Sequence, residues 1–89
     1  MSRTRSGEMV SAQIGKIGAV TGLDSGNFSV KGTPFNIKND GLTGVFLEVN
    51  LYGMKPGVFV RTRFDIGWNP EIVREIKQTS TEAVLLWGY

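Results

Sequence analysis

The chain contains no cysteine and no histidine, and its 89 residues include only three prolines. Without cysteine it forms no disulfides, thiolate zinc sites or cysteine nucleophiles, and without histidine it lacks the usual general base and the commonest metal ligand. These absences exclude most of the chemistry on which small enzymes rely. We therefore expect a protein that is not an enzyme and that carries no cofactor and no metal ion.

Long apolar runs and a strong charge imbalance are missing too. No run approaches the roughly 20 apolar residues of a membrane span, and the opening Met-Ser-Arg-Thr-Arg-Ser-Gly is not followed by a signal-peptide core. Ten lysines and arginines against eight acids give a net charge of +2, which alone does not indicate a nucleic-acid-binding protein. We expect no membrane partner and synthesis in a cytoplasm.

Glycine is abundant, with twelve residues, and turns containing glycine or proline recur about every eight to twelve residues. Short β-branched and aromatic runs lie between these turns. The rhythm is typical of an all-β protein, a small antiparallel β-sandwich or barrel of about six or seven short strands. We predict a polar N-terminal arm at residues 1–8, a single β-domain at residues 9–89, and at most one short helical turn near residues 70–77. A domain this small is often marginally stable, so association would help it.

The first predicted strand begins with the apolar and polar alternation of residues 10–14. Gly15 and Gly18 interrupt its continuation towards Val20, as a β-bulge does. We therefore expect a bent first strand.

Two stretches have turn chemistry, residues 22–27 and residues 39–41. They carry oxygen atoms of the kind that calcium binds, but neither completes a calcium loop with a bidentate acid, so we interpret both as ordinary turns. Residues 28–37 between them fit two short strands or one strand broken at Pro34 equally well.

The clearest local prediction is a hairpin that joins residues 45–52 to residues 58–66 through a loop at residues 54–57, with Gly53 opposite Val58. A shift by one residue would place each apolar residue opposite a polar one, so the pattern selects this register. On one face it pairs Leu51 with Val60, Val49 with Thr62, Leu47 with Phe64 and Val45 with Ile66. On the other it pairs Tyr52 with Phe59, Asn50 with Arg61 and Glu48 with Arg63.

The second face of this hairpin carries a candidate partner patch of three aromatic residues and two arginines: Phe46, Tyr52, Phe59, Arg61 and Arg63. Exposed aromatics are common on protein surfaces, and a partner patch is an equally good interpretation of three on one face. Aromatic rings beside arginines are also what a single-stranded nucleic acid groove requires. An OB-like barrel that binds single-stranded nucleic acid here is therefore our alternative hypothesis.

The segment after the hairpin has two interpretations. Asn69-Pro70-Glu71 has the capping residue and the proline of a helix start. The alternative is a proline turn into another strand. We favour the strand, because the segment is short and ends at Thr79-Ser80-Thr81.

The last stretch, residues 83–89, is nearly all apolar. In a strand, Ala83, Leu85, Trp87 and Tyr89 would face one way and Val84 and Leu86 the other. A strand that is apolar on both faces is normally covered on both sides, and so small a protein has little left to cover the second. We therefore predict a subunit interface at Leu85, Leu86, Trp87, Tyr89 and Trp68.

Arg3 and Arg5 lie in a serine, threonine and glycine context at the start of the chain. Such a segment suits an arm that contacts an acidic surface or a phosphate backbone. An arm without a binding role is the other interpretation.

Three features of the C-terminal part occur together: Gly-Trp-Asn-Pro-Glu-Ile-Val-Arg-Glu-Ile at residues 67–76, the turn Thr79-Ser80-Thr81, and the closing Leu-Leu-Trp-Gly-Tyr. In combination they resemble the ends of small tailed-bacteriophage virion proteins. In those proteins a proline-led strand, a threonine-rich turn and an aromatic strand complete a compact β-domain. That domain decorates or cements the capsid, often as a trimer. The first two thirds of the chain share only a β-rich and turn-rich character with them.

The resemblance implies a non-enzymatic viral structural protein, a capsid-associated auxiliary or decoration protein located in the virion and made in the host cytoplasm. Its partners would be the capsid shell protein and further copies of itself, with a trimer favoured. Arg3 and Arg5 would tie the domain to the shell, and the C-terminal strand would hold the subunits together.

Overall fold

The structure of the protein, a computed structural model, describes residues 14–89. Within this range there are seven β-strands and no helix. The strands are β1 (Ile17–Ala19), β2 (Asn36–Asn39), β3 (Val45–Leu51), β4 (Val60–Phe64), β5 (Gly67–Trp68), β6 (Val73–Ile76) and β7 (Leu85–Gly88). The all-β prediction is confirmed. The segment after the hairpin, for which the sequence allowed either a helix or a strand, contains strand β6. The predicted arm, residues 1–8, and the start of the predicted first strand lie outside the described residues.

The seven strands form two antiparallel sheets in a β-sandwich. The four-stranded sheet has the order β1-β7-β2-β5 and the three-stranded sheet the order β4-β3-β6. The chain crosses between the sheets after Phe35. The backbone of Phe35 exchanges two hydrogen bonds with Val73 of β6, at 2.8 and 2.9 Å, and the next residue, Asn36, begins β2. This crossing ties the sheets together.

The core lies between the sheets, where alternate side chains of facing strands point inwards. Burying each large apolar side chain contributes about 1.5–3 kcal/mol. Phe35 also meets the ring of Phe28 edge to face, with centroids 5.8 Å apart. The buried apolar residues in the described part of the chain are Leu23, Phe35, Ile37, Leu47, Val49, Phe64, Val73, Ile76 and Leu85.

The hairpin of β3 and β4 forms as predicted, but its register was wrong by two residues. Val49 lies opposite Val60 and Val45 opposite Phe64, with Leu47 opposite Thr62. A shift of two keeps every side chain on its predicted face, so Leu47, Val49 and Phe64 still point into the core. The predicted loop at residues 54–57 is replaced by a longer connection between Leu51 and Val60.

The side chain of Asn50 explains the longer connection. Asn50 is 2% exposed, and its Nδ2 donates to the carbonyls of Lys55 and Val58, at 2.7 Å each. Its Oδ1 accepts from Nε of Arg74 at 3.1 Å. A buried amide needs partners for both its nitrogen and its oxygen, so the side chain of Asn50 points to the loop. The sequence had predicted that Asn50 lies opposite Arg61, and it does not.

Two further buried asparagines hold loops. Asn39, predicted in a turn, is instead the last residue of β2 and is 0% exposed. Its Nδ2 donates to the carbonyls of Thr43 (2.8 Å) and Phe64 (3.2 Å), and its Oδ1 accepts from the Gly41 N–H (2.9 Å). Asn69, one candidate for a helix cap, accepts from the Asp65 N–H at 3.0 Å and donates to the Asp65 carbonyl at 3.0 Å. It therefore closes a turn before β6.

We expect Asn39→Ala to lower the free energy of unfolding by about 1–3 kcal/mol, because it leaves buried backbone groups without a partner. Urea unfolding followed by circular dichroism measures this. The matched control is Asn27→Ala. Asn27 also makes hydrogen bonds, to Glu75 and to the N–H of Gln78, but at exposed positions where water replaces them. Equal losses for the two variants would contradict the anchoring role of Asn39.

Candidate interaction surfaces

Strand β7, the predicted interface strand, lies in the interior of its sheet. Leu85, Leu86, Trp87 and Gly88 are aligned with β2, from Asn39 to Asn36, on one edge. On the other edge, residues 86–88 are aligned with β1. Both edges are therefore occupied within one chain, and a second subunit has only the faces of β7 to contact.

The inner face of β7 belongs largely to the domain itself. Leu85 is 4% exposed and part of the core, so little of its side chain is left for the predicted interface. Trp87 is partly buried and packs against the core. The ring of Tyr89 stacks on the ring of Trp87, with centroids 5.7 Å apart and an angle of 11° between the ring planes. Gly18 is aligned with Trp87, and a Cβ atom there would lie 2.3 Å from the Trp87 ring. The ring therefore needs a glycine beneath it.

The outer face of the four-stranded sheet holds the other predicted interface residues. Leu86 is aligned with Ala19 of β1 and Lys38 of β2, and Lys38 with Trp68 of β5, so all four side chains point the same way. The Trp68 ring lies over Gly88, where an added Cβ would be 2.6 Å away. The structure thus brings Leu86 and Trp68 to one surface.

Two exposed side chains extend this outer face. Ile17 of β1 is aligned with Gly88 and is 55% exposed, and Val84, two residues before Leu86, is also 55% exposed. We use the term outer face for Ile17, Ala19, Trp68, Val84 and Leu86; Lys38, which pairs with Asp40 at 3.6 Å, lies on the same face between Leu86 and Trp68. Its apolar side chains are contiguous across β1 and β7, unlike isolated exposed residues, which need no explanation.

The predicted hairpin patch is only partly brought together. Phe46 is 52% exposed, and Cζ of Arg61 lies 4.4 Å from its ring centroid. Arg63 is aligned with Phe46 along the backbone, but its guanidinium lies against Gly44. Tyr52, 60% exposed, lies past the end of β3, where its N–H bonds the carbonyl of Ile72.

Lys77, which the sequence analysis missed, joins this hairpin face. Its Nζ lies 5.9 Å from the ring centroid of Phe59 and 3.8 Å from Oε1 of Glu48. Glu48 was predicted beside Arg63, but Arg63 pairs with Asp65 at 2.7 Å. Arg61 forms no ion pair with another residue between 14 and 89. The face therefore carries two cations over aromatic rings, Arg61 on Phe46 and Lys77 on Phe59, and of these Lys77 is also paired with an acid.

A cleft beside the loop at residues 40–44 was also missed. It has a volume of about 430 Å³ and lies between this loop and residues 81–84, with Leu42, Val45, Ala83 and Val84 among its lining residues. Leu42 itself is 95% exposed. The sequence signal for this cleft was Leu42, an apolar residue between Gly41 and Gly44 in an otherwise polar turn.

Residues 14–89 hold neither a candidate metal cluster nor a membrane-spanning helix. They contain no group of three or more acidic side chains that could hold a metal ion, and none of their segments is a helix able to cross a membrane. Arg3 and Arg5, the predicted contacts of the arm, lie outside these residues, so their role stays a prediction.

Comparison with known proteins gave no similar protein: no family model, curated protein or solved structure matches the chain.

We expect Gly18→Ala to destabilise the protein by about 1–3 kcal/mol, because overpacking forces the Trp87 ring away from its position. Chemical unfolding followed by tryptophan fluorescence measures the loss. Gly26→Ala is the control, since a Cβ at Gly26 meets nothing within 4 Å. An unchanged stability in Gly18→Ala would show that Trp87 is not packed on β1.

Proposed function

We propose that the protein is a non-enzymatic structural protein that self-associates and decorates the shell of a virus. The observation that supports self-association best is the contiguous apolar surface on the outer face. Support for the virion comes from the resemblance of residues 67–89 to small tailed-phage virion proteins.

The outer face suits association because its apolar side chains lie on the side of the four-stranded sheet that points away from the core. Ile17 and Val84 each leave more than half of their surface in water. Covering side chains of this size contributes about 1.5–3 kcal/mol each when burial is complete. A small domain gains proportionally more from such burial than a large one. A second copy of the chain that buries this surface would therefore stabilise the protein.

The proposed contact covers the second face of β7, as expected for a strand that is apolar on both faces, but it does not include Leu85. Since β1 and β2 occupy both edges of β7, copies associate through the outer face and not by extending the sheet at β7. Leu86 and Trp68 remain in the proposed interface, while Leu85 belongs to the core. A trimer is the proposed form, and Arg3 and Arg5 are the proposed contacts with the shell.

The variant Ile17→Asp tests self-association. A carboxylate in an apolar interface loses hydration, so we expect an at least tenfold weaker association, measured by sedimentation equilibrium. The control is Ile72→Asp, which places the same charge at a position of nearly equal exposure, 53% against 55%. Weaker association in the Ile72 variant alone would place the interface at the end of the hairpin and contradict the proposal.

Electron microscopy of native virus particles tests the second half of the proposal. Gold-labelled antibodies against the protein should mark the outside of the shell at regular positions. Purified particles that contain none of the protein would contradict a role in decoration, even if the protein associates in solution.

The second candidate function is binding of single-stranded nucleic acid at the hairpin face. Arg61 on the Phe46 ring favours it, because bases stack on aromatic and guanidinium planes. Its support is weaker, since Arg63 and Lys77 on the same face are paired with Asp65 and Glu48. Polyanion binding depends on cations that neutralise several phosphates.

Fluorescence anisotropy of a labelled oligothymidylate of about 12 nucleotides distinguishes this candidate. Binding that weakens with salt and falls about tenfold in Arg61→Gln, but not in Lys38→Gln on the opposite sheet, would support it. On the decoration proposal we expect no binding at low salt.

A further inference from the structure

Leu42 is an apolar side chain that the fold holds in solvent. It is 95% exposed, yet hydrogen bonds from buried Asn39 fix the backbone on both sides of it. Oδ1 of Asn39 accepts from the Gly41 N–H at 2.9 Å, and its Nδ2 donates to the Thr43 carbonyl at 2.8 Å. A single exposed leucine is ordinary, but one presented by an anchored loop loses little conformational entropy when it binds.

The cleft beside this loop supplies a matching site. It measures about 430 Å³, and Val45, Ala83 and Val84 contribute apolar side chains to its walls. A cavity of about 150 Å³ can hold a benzene molecule, so this cleft has room for a leucine side chain. Leu42 stands at its rim and leaves it open.

We propose that Leu42 of one copy inserts into this cleft on a second copy of the chain. The inference rests on the proposed self-association and names a contact that forms it. Two observations select a second copy over a foreign partner. One chain presents both the projecting residue and the receiving cleft, so each copy gives one leucine and receives one, in either a two-fold or a ring arrangement. In addition, Val84 belongs to both the cleft and the outer face, so the contact continues the proposed interface.

Sedimentation equilibrium of the complete chain tests this contact. Burial of one Leu42 side chain in a cleft corresponds to about a factor of ten in the association constant. An assembly contains at least two such contacts, and Leu42→Ser removes all of them, so it should weaken association by about 100-fold or more. Val84→Trp, which leaves Leu42 intact but changes both the cleft and the outer face, should give a comparable loss. Val58→Ser is the control, because Val58 is an exposed apolar residue, at 47%, in the connection between β3 and β4 of the other sheet.

The outcomes separate the two proposals. Weaker association in the Leu42 and Val84 variants, with an unchanged Val58 variant, supports the contact. Association that persists in Leu42→Ser overturns it and leaves self-association standing. A wild-type chain that stays monomeric at all concentrations overturns both. Since Leu42 is almost fully exposed, Leu42→Ser should keep the melting temperature of the monomer, which excludes unfolding as the cause of a loss.

Discussion

The pairing of β7 with a strand on each edge is the constraint on which the rest of the sandwich depends. It joins β1 to β2, which are not neighbours otherwise, and it positions Leu85 in the core and Leu86 on the outer face. Trp87 fits only because β1 offers Gly18 at the aligned position. One strand thus completes the core on one side and, on the other, supplies the apolar surface on which the proposed assembly rests.

Three buried asparagines fix the conformations of the loops. Asn39, Asn50 and Asn69 each use the side-chain amide to satisfy backbone carbonyls of a connecting segment. Buried amides are costly unless every group is paired, so each asparagine selects one loop conformation over its alternatives. This is how a chain without disulfides can present Leu42 at a defined position.

Alternation along strands was enough to predict which side chains of the hairpin share a face, among them Leu47 and Val49, but it did not show that Leu85 lies in the core. It could not predict the register of β3 with β4, because a shift of two residues conserves the faces and the choice depended on the hydrogen bonds of Asn50. Nor could it show that β7 would lie between β1 and β2, since pairing between distant segments leaves no local pattern. The stacking of Arg61 on Phe46 follows from the register of β3 with β4, and the position of Lys77 follows from the pairing of β3 with β6.

Alignment of β1 with β7 joins segments from nearly opposite ends of the described chain. Contacts of such high sequence separation carry a loop-closure cost before they contribute, and folds rich in them fold more slowly. During synthesis, the three-stranded sheet has all its strands once β6 has left the ribosome, whereas the four-stranded sheet must wait for β7. The outer face, which β1 and β7 form together, is therefore complete only after the strands of the three-stranded sheet are available, and the self-association proposed for it depends on this pairing.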